Sequence, residues 1–336
     1  MRRTVRFLAG ATLGGGALAS YLTVVGVESV LTRAGAIAPW ALAVVVGLVV
    51  VEGLVDAVGV WASVNPLGDG LSGGQSVQFA LAGDFFDTLS PAGPVSSEPI
   101  MARFIGVTTE TTYSEALGVR TVAKYVKSGT QLVVSTVLAL ALLLGTPDAR
   151  FVVVTVGGSL FGLLALGVVL VRSRAAVSRG LVAVFAPVVA WVSSLYRETP
   201  HDRSTVAAAV ERFWRRIVRF RSEPALVVLI GLGGVLEQVL TAAALWVALA
   251  GTGTAVPLLP IVAVVPVPQA ASVVPVPASI GAYDILMGGV LVAVTGSPAA
   301  AAAAAVLVVR TVSLPFGLSA GGLSVAFLRG WRPRGT

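Results

Sequence analysis

Four sets of ionisable residues sit inside otherwise apolar stretches of this sequence: Glu52 with Asp56, Asp84 with Asp87, Glu237 beside Gln238, and Arg310. A charge at membrane depth costs about 2.5–3.5 kcal/mol even on the lenient insertion scale, so such residues mark sites by default. Glu52 and Asp56 are four apart and share one helical face. Glu237 lies twelve residues into an apolar run beginning at Ala225, and Arg310 eleven residues into one beginning at Ala299. At about 1.5 Å per residue, both reach roughly the middle of a bilayer core. The spacing suggests that Glu237 and Arg310 pair. Such a pair either fixes helix packing alone or also presents Arg310 to a lipid phosphate, which a guanidinium can hold bidentately.

Those charges need elements to carry them, and composition says which. The 336 residues are 56% hydrophobic and 12% charged, with mean hydropathy +0.92. Soluble domains carry about 25% charge, so this chain lacks the polar surface to wrap a water-soluble globule. An all-α, polytopic bundle of transmembrane helices follows, as one domain over 1–336. Nucleic-acid binding is excluded despite the net charge of +7. With no Cys, disulfides and thiolate-held metals are excluded too. The single His201 reads as a surface residue among Glu198, Asp202 and Arg203. No catalytic residue, cofactor or metal is expected.

Apolar runs long enough to span are Phe7–Val27, Ala36–Val60, Ser128–Gly145, Phe151–Val171, Ala225–Ala250 and Ala299–Leu328. Ala17-Leu18-Ala19 resembles a cleavage site, but the run continues to Val27, which suits a retained anchor. Val77–Ile105 and Pro257–Gly296 are hydrophobic but broken by proline and glycine. Paired interruptions of this kind point to a transport site. They also echo each other: Pro91 to Glu98 and Pro277 to Asp284 are each a proline, six mostly small residues and a carboxylate that starts an apolar run. The acid at a helix start suits the positive dipole end. Pro257–Gly296 is either two short crossings or one re-entrant hairpin. The expectation is about eight crossings with one or two re-entrant segments.

Arginine placement sets orientation, since cytoplasmic loops collect Lys and Arg. The N-terminus, Arg103–Lys127, the segment 172–224 and the C-terminal tail are basic, while the intervening turns are nearly uncharged. Both termini are therefore expected in the cytoplasm of a cell-membrane protein. Within the basic loop, Leu181–Tyr196 reads as interfacial or as a cover on the bundle. Arg203–Arg221 reads as an amphipathic helix: Val206, Val210, Phe213, Trp214, Ile217 and Val218 form one face, expected to lie on an anionic leaflet.

Phe79…Gly83-Asp84-Phe85-Phe86…Leu89-Ser90-Pro91-Ala92-Gly93 resembles the first signature of the lysylphosphatidylglycerol-synthase transmembrane, flippase-like family. Pro275-Val-Pro-Ala-Ser-Ile-Gly281-Ala-Tyr-Asp284 and the alanine-rich last span with Arg310, Pro315 and Gly317 are similar to its later elements. The chain departs from the family in carrying Glu98 and Arg103 after the first turn, and Arg120, Lys124 and Lys127 without neighbouring acids. No aminoacyl-transferase domain follows the spans, so synthase activity is not expected. The resemblance implies a non-enzymatic protein that moves a phospholipid or polyprenyl-phosphate-linked lipid between leaflets. Its partners would be membrane lipids with an anionic headgroup. Candidate contact residues are Arg310, Glu237, Asp84, Asp87, Pro91, Gly93, Glu98, Arg103, Pro277, Gly281, Asp284, Glu52 and Asp56. No Gly-x4-Gly-Lys-Ser/Thr motif occurs, so ATP is not the direct driver. The alternative is a non-catalytic accessory subunit or scaffold for a membrane glycosyltransferase or lipid-modifying enzyme, docked through the basic loop.

Overall fold

The computed structural model describes residues 2–89, 94–143, 150–194, 203–269 and 276–329. Among these there are thirteen α-helices and no strand. Five helices are long and apolar enough to cross a membrane: α3 (Pro39–Val64), α6 (Tyr113–Leu143), α7 (Arg150–Arg172), α10 (Pro224–Gly251) and α13 (Ala299–Ala326). Proline opens α3 and α10 at their first position, where its missing N–H costs no hydrogen bond and its φ is already helical.

The first expected span is bent. α1 (Arg2–Val25) and α2 (Val27–Gly35) meet at 92° across Gly26, whose φ of 102° is open to glycine. Counting that pair as one span, up to six described segments are long and apolar enough to cross, and among the described residues the remaining apolar helices are shorter. Each broken segment folds as two helices packed on each other. α4 (Gly73–Leu89) and α5 (Pro94–Thr108) pack on each other, as do α11 (Leu258–Val264) and α12 (Ala282–Thr295). At about 1.5 Å per residue α11 spans only some 10 Å and α12 about 21 Å, short of a 30 Å core.

Packing is inside-out, as a lipid solvent requires. Val44, Leu54, Val154, Phe161 and Leu323 point outward, while Ala301 to Ala305 are all buried. Small residues let backbones approach where no hydrophobic effect drives association. α3 and α10 run antiparallel: a Cβ on Gly251 would overlap Ala41, and one on Gly233 would meet the backbone of Gly59. Gly317 and Gly321, four apart on α13, seat α4. A Cβ on Gly321 would lie 2.4 Å from the Leu81 carbonyl oxygen.

The described part of the basic loop is mostly helical, as α8 (Arg174–Ser194) and α9 (Arg203–Arg219). The apolar face of α9 does not turn outward as expected. Val206 is buried, and Val210, Phe213, Trp214 and Ile217 are half-buried where α9 packs on α6 and α8; only Val218 stays exposed. The reason is a second set of contacts. Arg216 holds Glu115 Oε1 at 2.8 Å and the Pro66 carbonyl at 3.0 Å, which fixes α9 against the start of α6.

Candidate functional site

α6 begins fifteen residues before the apolar run that announced it, and this extension carries the charge chemistry. Arg120, Lys124 and Lys127 fall at i, i+4 and i+7, so one helical face presents three cations in a row. Lys124 and Lys127 are the only lysines in the chain. The sequence counted these residues as free basic charges of a loop; the fold instead turns them inward, so they carry no orientation signal. The missing acids come from other helices. Arg120, 6% exposed, forms two parallel 2.7 Å bonds to Glu98 of α5. Lys124 Nζ is 3.3 Å from Glu98 and 3.6 Å from Asp87 of α4. Ser97 donates to Asp87 and ties α5 to α4. Lys127 Nζ lies 2.7 Å from Asp56 of α3 and also contacts Glu237 of α10. Gly234 makes room for it, since a Cβ there would sit 2.8 Å from Lys127 Cγ.

Glu237 is therefore not the partner of Arg310, as its depth had suggested. Similar depth does not fix which faces meet, and Lys127 reaches Glu237 first. Arg310 instead binds the turn before α12. Its Nε is 3.2 Å from Asp284 Oδ1, its Nη2 donates to the Ala278 carbonyl at 2.5 Å, and its guanidinium lies 4.9 Å from the centre of the Tyr283 ring. Asp284 also accepts from the Gly281 N–H at 2.8 Å, capping α12. Ala278, Ser279 and Gly281 all have positive φ, a conformation that costs a non-glycine residue about 1–2 kcal/mol. Glycine at 281 also lets the turn touch α1: a Cβ would lie 2.4 Å from the Gly14 carbonyl oxygen.

The sequence echo thus has a structural counterpart. In each half, two short packed helices precede a long span. The carboxylate near the start of the second short helix binds an arginine of that span: Glu98 with Arg120, Asp284 with Arg310.

Between the two ion-pair groups lies a cavity of about 230 Å³. Glu52, Glu237, Tyr283, Arg310, Ser313 and three glutamines, Gln131, Gln238 and Gln269, line it together with aliphatic residues of α3, α10 and α13. The fold thereby brings together Glu52, Glu237 and Arg310, with Asp56 one contact behind Lys127 and Asp284 one contact behind Arg310. Asp84 sits on the α4–α13 seam near Gly317. Arg103 is exposed on α5 and stands apart. Pro277 enters as backbone of the turn. Pro91 and Gly93 lie outside the described residues. The glutamines escaped the sequence reading because uncharged amides in apolar spans carry little signal there. The i, i+4, i+7 spacing of Arg120, Lys124 and Lys127 was the available clue to that face.

Neither the curated proteins nor the solved structures compared with this chain include a match. A family model described as lysylphosphatidylglycerol synthase TM region matches residues 7–321. The chain belongs to that family, which makes it a membrane protein related to lipid modification or flipping.

Proposed function

We propose that the protein moves an anionic lipid, a phospholipid or a polyprenyl-phosphate-linked one, between leaflets, with no covalent chemistry. The supporting observation is Arg310 in a polar cavity at the junction of a broken segment and the long spans. A phosphate can hold a guanidinium bidentately. In this reading it does so by displacing Asp284, exchanging one anion for another around a cation that never stays bare. Losing Asp284 loosens the turn at Ala278, so headgroup arrival and rearrangement of the α11–α12 hairpin become one event. The acyl or prenyl tails remain in lipid while the headgroup crosses through the cavity, in alternating exposure around the broken segments.

The accessory-subunit reading draws on a different feature. Arg203, Arg215 and Arg219 are exposed along α9 and would offer a basic docking face to a membrane enzyme. Reconstitution separates the two. Protein in liposomes with fluorescent phosphatidylglycerol should expose inner-leaflet probe to an impermeant quencher faster than empty liposomes do. Folded protein that leaves the protected half unquenched would overturn the transport reading and favour the accessory one.

A further inference from the structure

The charge balance around the cavity is uneven. Among the described residues, seven carboxylates (Glu52, Asp56, Asp84, Asp87, Glu98, Glu237 and Asp284) stand in and around the cavity with four cations: Arg120, Lys124, Lys127 and Arg310. Asp56, Asp87, Glu98, Glu237 and Asp284 are each in an ion pair with one of these cations. Glu52, which lines the cavity, has no hydrogen bond or ion pair to any described residue. The charged groups that act most on it are Glu237, Asp84 and Asp56, all acidic, and Lys127, which is already shared by two acids, while Arg310 across the cavity is held by Asp284. An uncompensated carboxylate at this depth is costly, so Glu52 calls for a bound cation or a proton beside it.

A second observation shows how it would be held. Gln238 is fully buried, and its Nε2 donates to the Val262 carbonyl at 2.7 Å and to Ser135 Oγ at 2.8 Å. A carbonyl can only accept, so the amide is fixed with its NH2 there and its oxygen elsewhere. That oxygen, Oε1, is buried with no hydrogen-bond partner, on a residue that lines the cavity. Gln131, 2% exposed, is oriented in the same manner by its Nε2 bond to the Gly234 carbonyl at 2.9 Å. Its oxygen meets only a long 3.5 Å contact from Gln269.

We infer that the cavity holds a small alkali cation of the sodium class, bound by the Glu52 carboxylate and the amide oxygens of Gln131 and Gln238. The donor chemistry is all hard oxygen, which suits such an ion and not a soft metal. Of the two carboxylates left unpaired, only Glu52 lines the cavity, and one carboxylate with neutral amides favours a monovalent ion, since calcium sites gather several carboxylates or carbonyls. The ion would share its cavity with the headgroup site of the transport reading and serve as its coupling ion. Only that coupling role rests on the transport reading.

The test uses the full chain in detergent with radiolabelled sodium, at constant ionic strength made up with N-methyl-D-glucamine chloride. Wild type should bind sodium saturably, with displacement by unlabelled sodium. Glu52→Gln, which keeps the side-chain shape, should weaken binding about tenfold or more, on the scale of metal-ligand losses. Glu52→Asp should retain weakened binding, and Glu28→Gln, at an exposed position of α2, should leave it unchanged. Absence of saturable binding in wild type overturns the inference, as does unchanged binding in a monodisperse Glu52→Gln. Stabilisation by protons alone, or by an amine-bearing lipid alone, also overturns it and gives the site to that species. Lipid movement measured in parallel in sodium chloride and in choline chloride keeps the two ideas separable. Movement without sodium binding removes the cation site and keeps transport; sodium binding without movement in either salt does the reverse.

Discussion

Asp284 Oδ1 and Arg310 Nε lie 3.2 Å apart, and the same guanidinium holds the Ala278 carbonyl at 2.5 Å. The pair therefore secures a turn whose backbone is strained at Ala278 and Ser279. Removing one member of a buried pair strands a charge and costs about 3–5 kcal/mol, whereas removing both is often close to neutral. Arg310→Ala should lower the thermal midpoint sharply, and adding Asp284→Ala should restore much of the loss. Adding Glu237→Ala instead should restore nothing, since Glu237 belongs to Lys127. Rescue by Glu237→Ala would contradict the pairing described here.

Lys127 is shared by Asp56 and Glu237, so its loss strands two carboxylates where loss of either acid strands none. Lys127→Met should be more destabilising than Asp56→Asn or Glu237→Gln, by at least the few kcal/mol of one broken buried pair. Thermal unfolding in detergent followed by fluorescence measures the order. Equal destabilisation by all three would mean the lysine is not the hub.

The seam between α4 and α13 depends on glycine. Gly321→Ala would put a Cβ 2.4 Å from the Leu81 carbonyl oxygen and 2.8 Å from Phe85 Cβ, and helical backbone has no room to yield. Overpacking of this kind costs about 1–3 kcal/mol. Gly289→Ala on α12 is the control, because nothing lies within 4 Å of its added Cβ. A Gly321→Ala protein as stable as the Gly289→Ala one would refute the close approach.

Helix positions were largely legible from apolar runs: α7 begins one residue before the expected Phe151, α10 one before Ala225, and α13 at Ala299. The failures share a cause. Hydropathy lowers its reading wherever a helix carries charges, so the polar first half of α6 read as loop although its charges are buried in pairs. The bend at Gly26 was hidden because apolar composition continues through it. Within the site, sequence depth singled out Glu237 and Arg310, and both do line one cavity. It could not say which faces meet, because pairing depends on helix rotation and crossing. The echo of Glu98 and Asp284 was visible in sequence; their arginine partners, 22 and 26 residues further on, were not.

Orientation can be checked on a chain with no native cysteine. Arg215→Cys sits on the exposed side of α9, within the segment whose arginines lead us to expect it in the cytoplasm. An impermeant maleimide should label it in inverted membrane vesicles and not in intact cells. Labelling in intact cells would reverse the topology.

The role of Arg310 in lipid movement can be separated from its role in the turn. The Arg310→Ala, Asp284→Ala double variant removes the pair without stranding a charge, so it should fold. If phosphate must displace Asp284 from Arg310, this variant has no cation for the headgroup, and lipid movement in liposomes should fall to the protein-free rate. Arg310→Lys should keep the charge but lose the planar fork that engages the Ala278 carbonyl together with Asp284 or, in its place, a phosphate. It should therefore fold less stably than wild type and move lipid slowly at best. Asp284→Asn should act differently, leaving the guanidinium intact and removing its competitor. It should bind anionic lipid more tightly, while transport slows because the turn no longer recaptures Arg310. A folded double variant that moves lipid at the wild-type rate would leave Arg310 a purely structural residue.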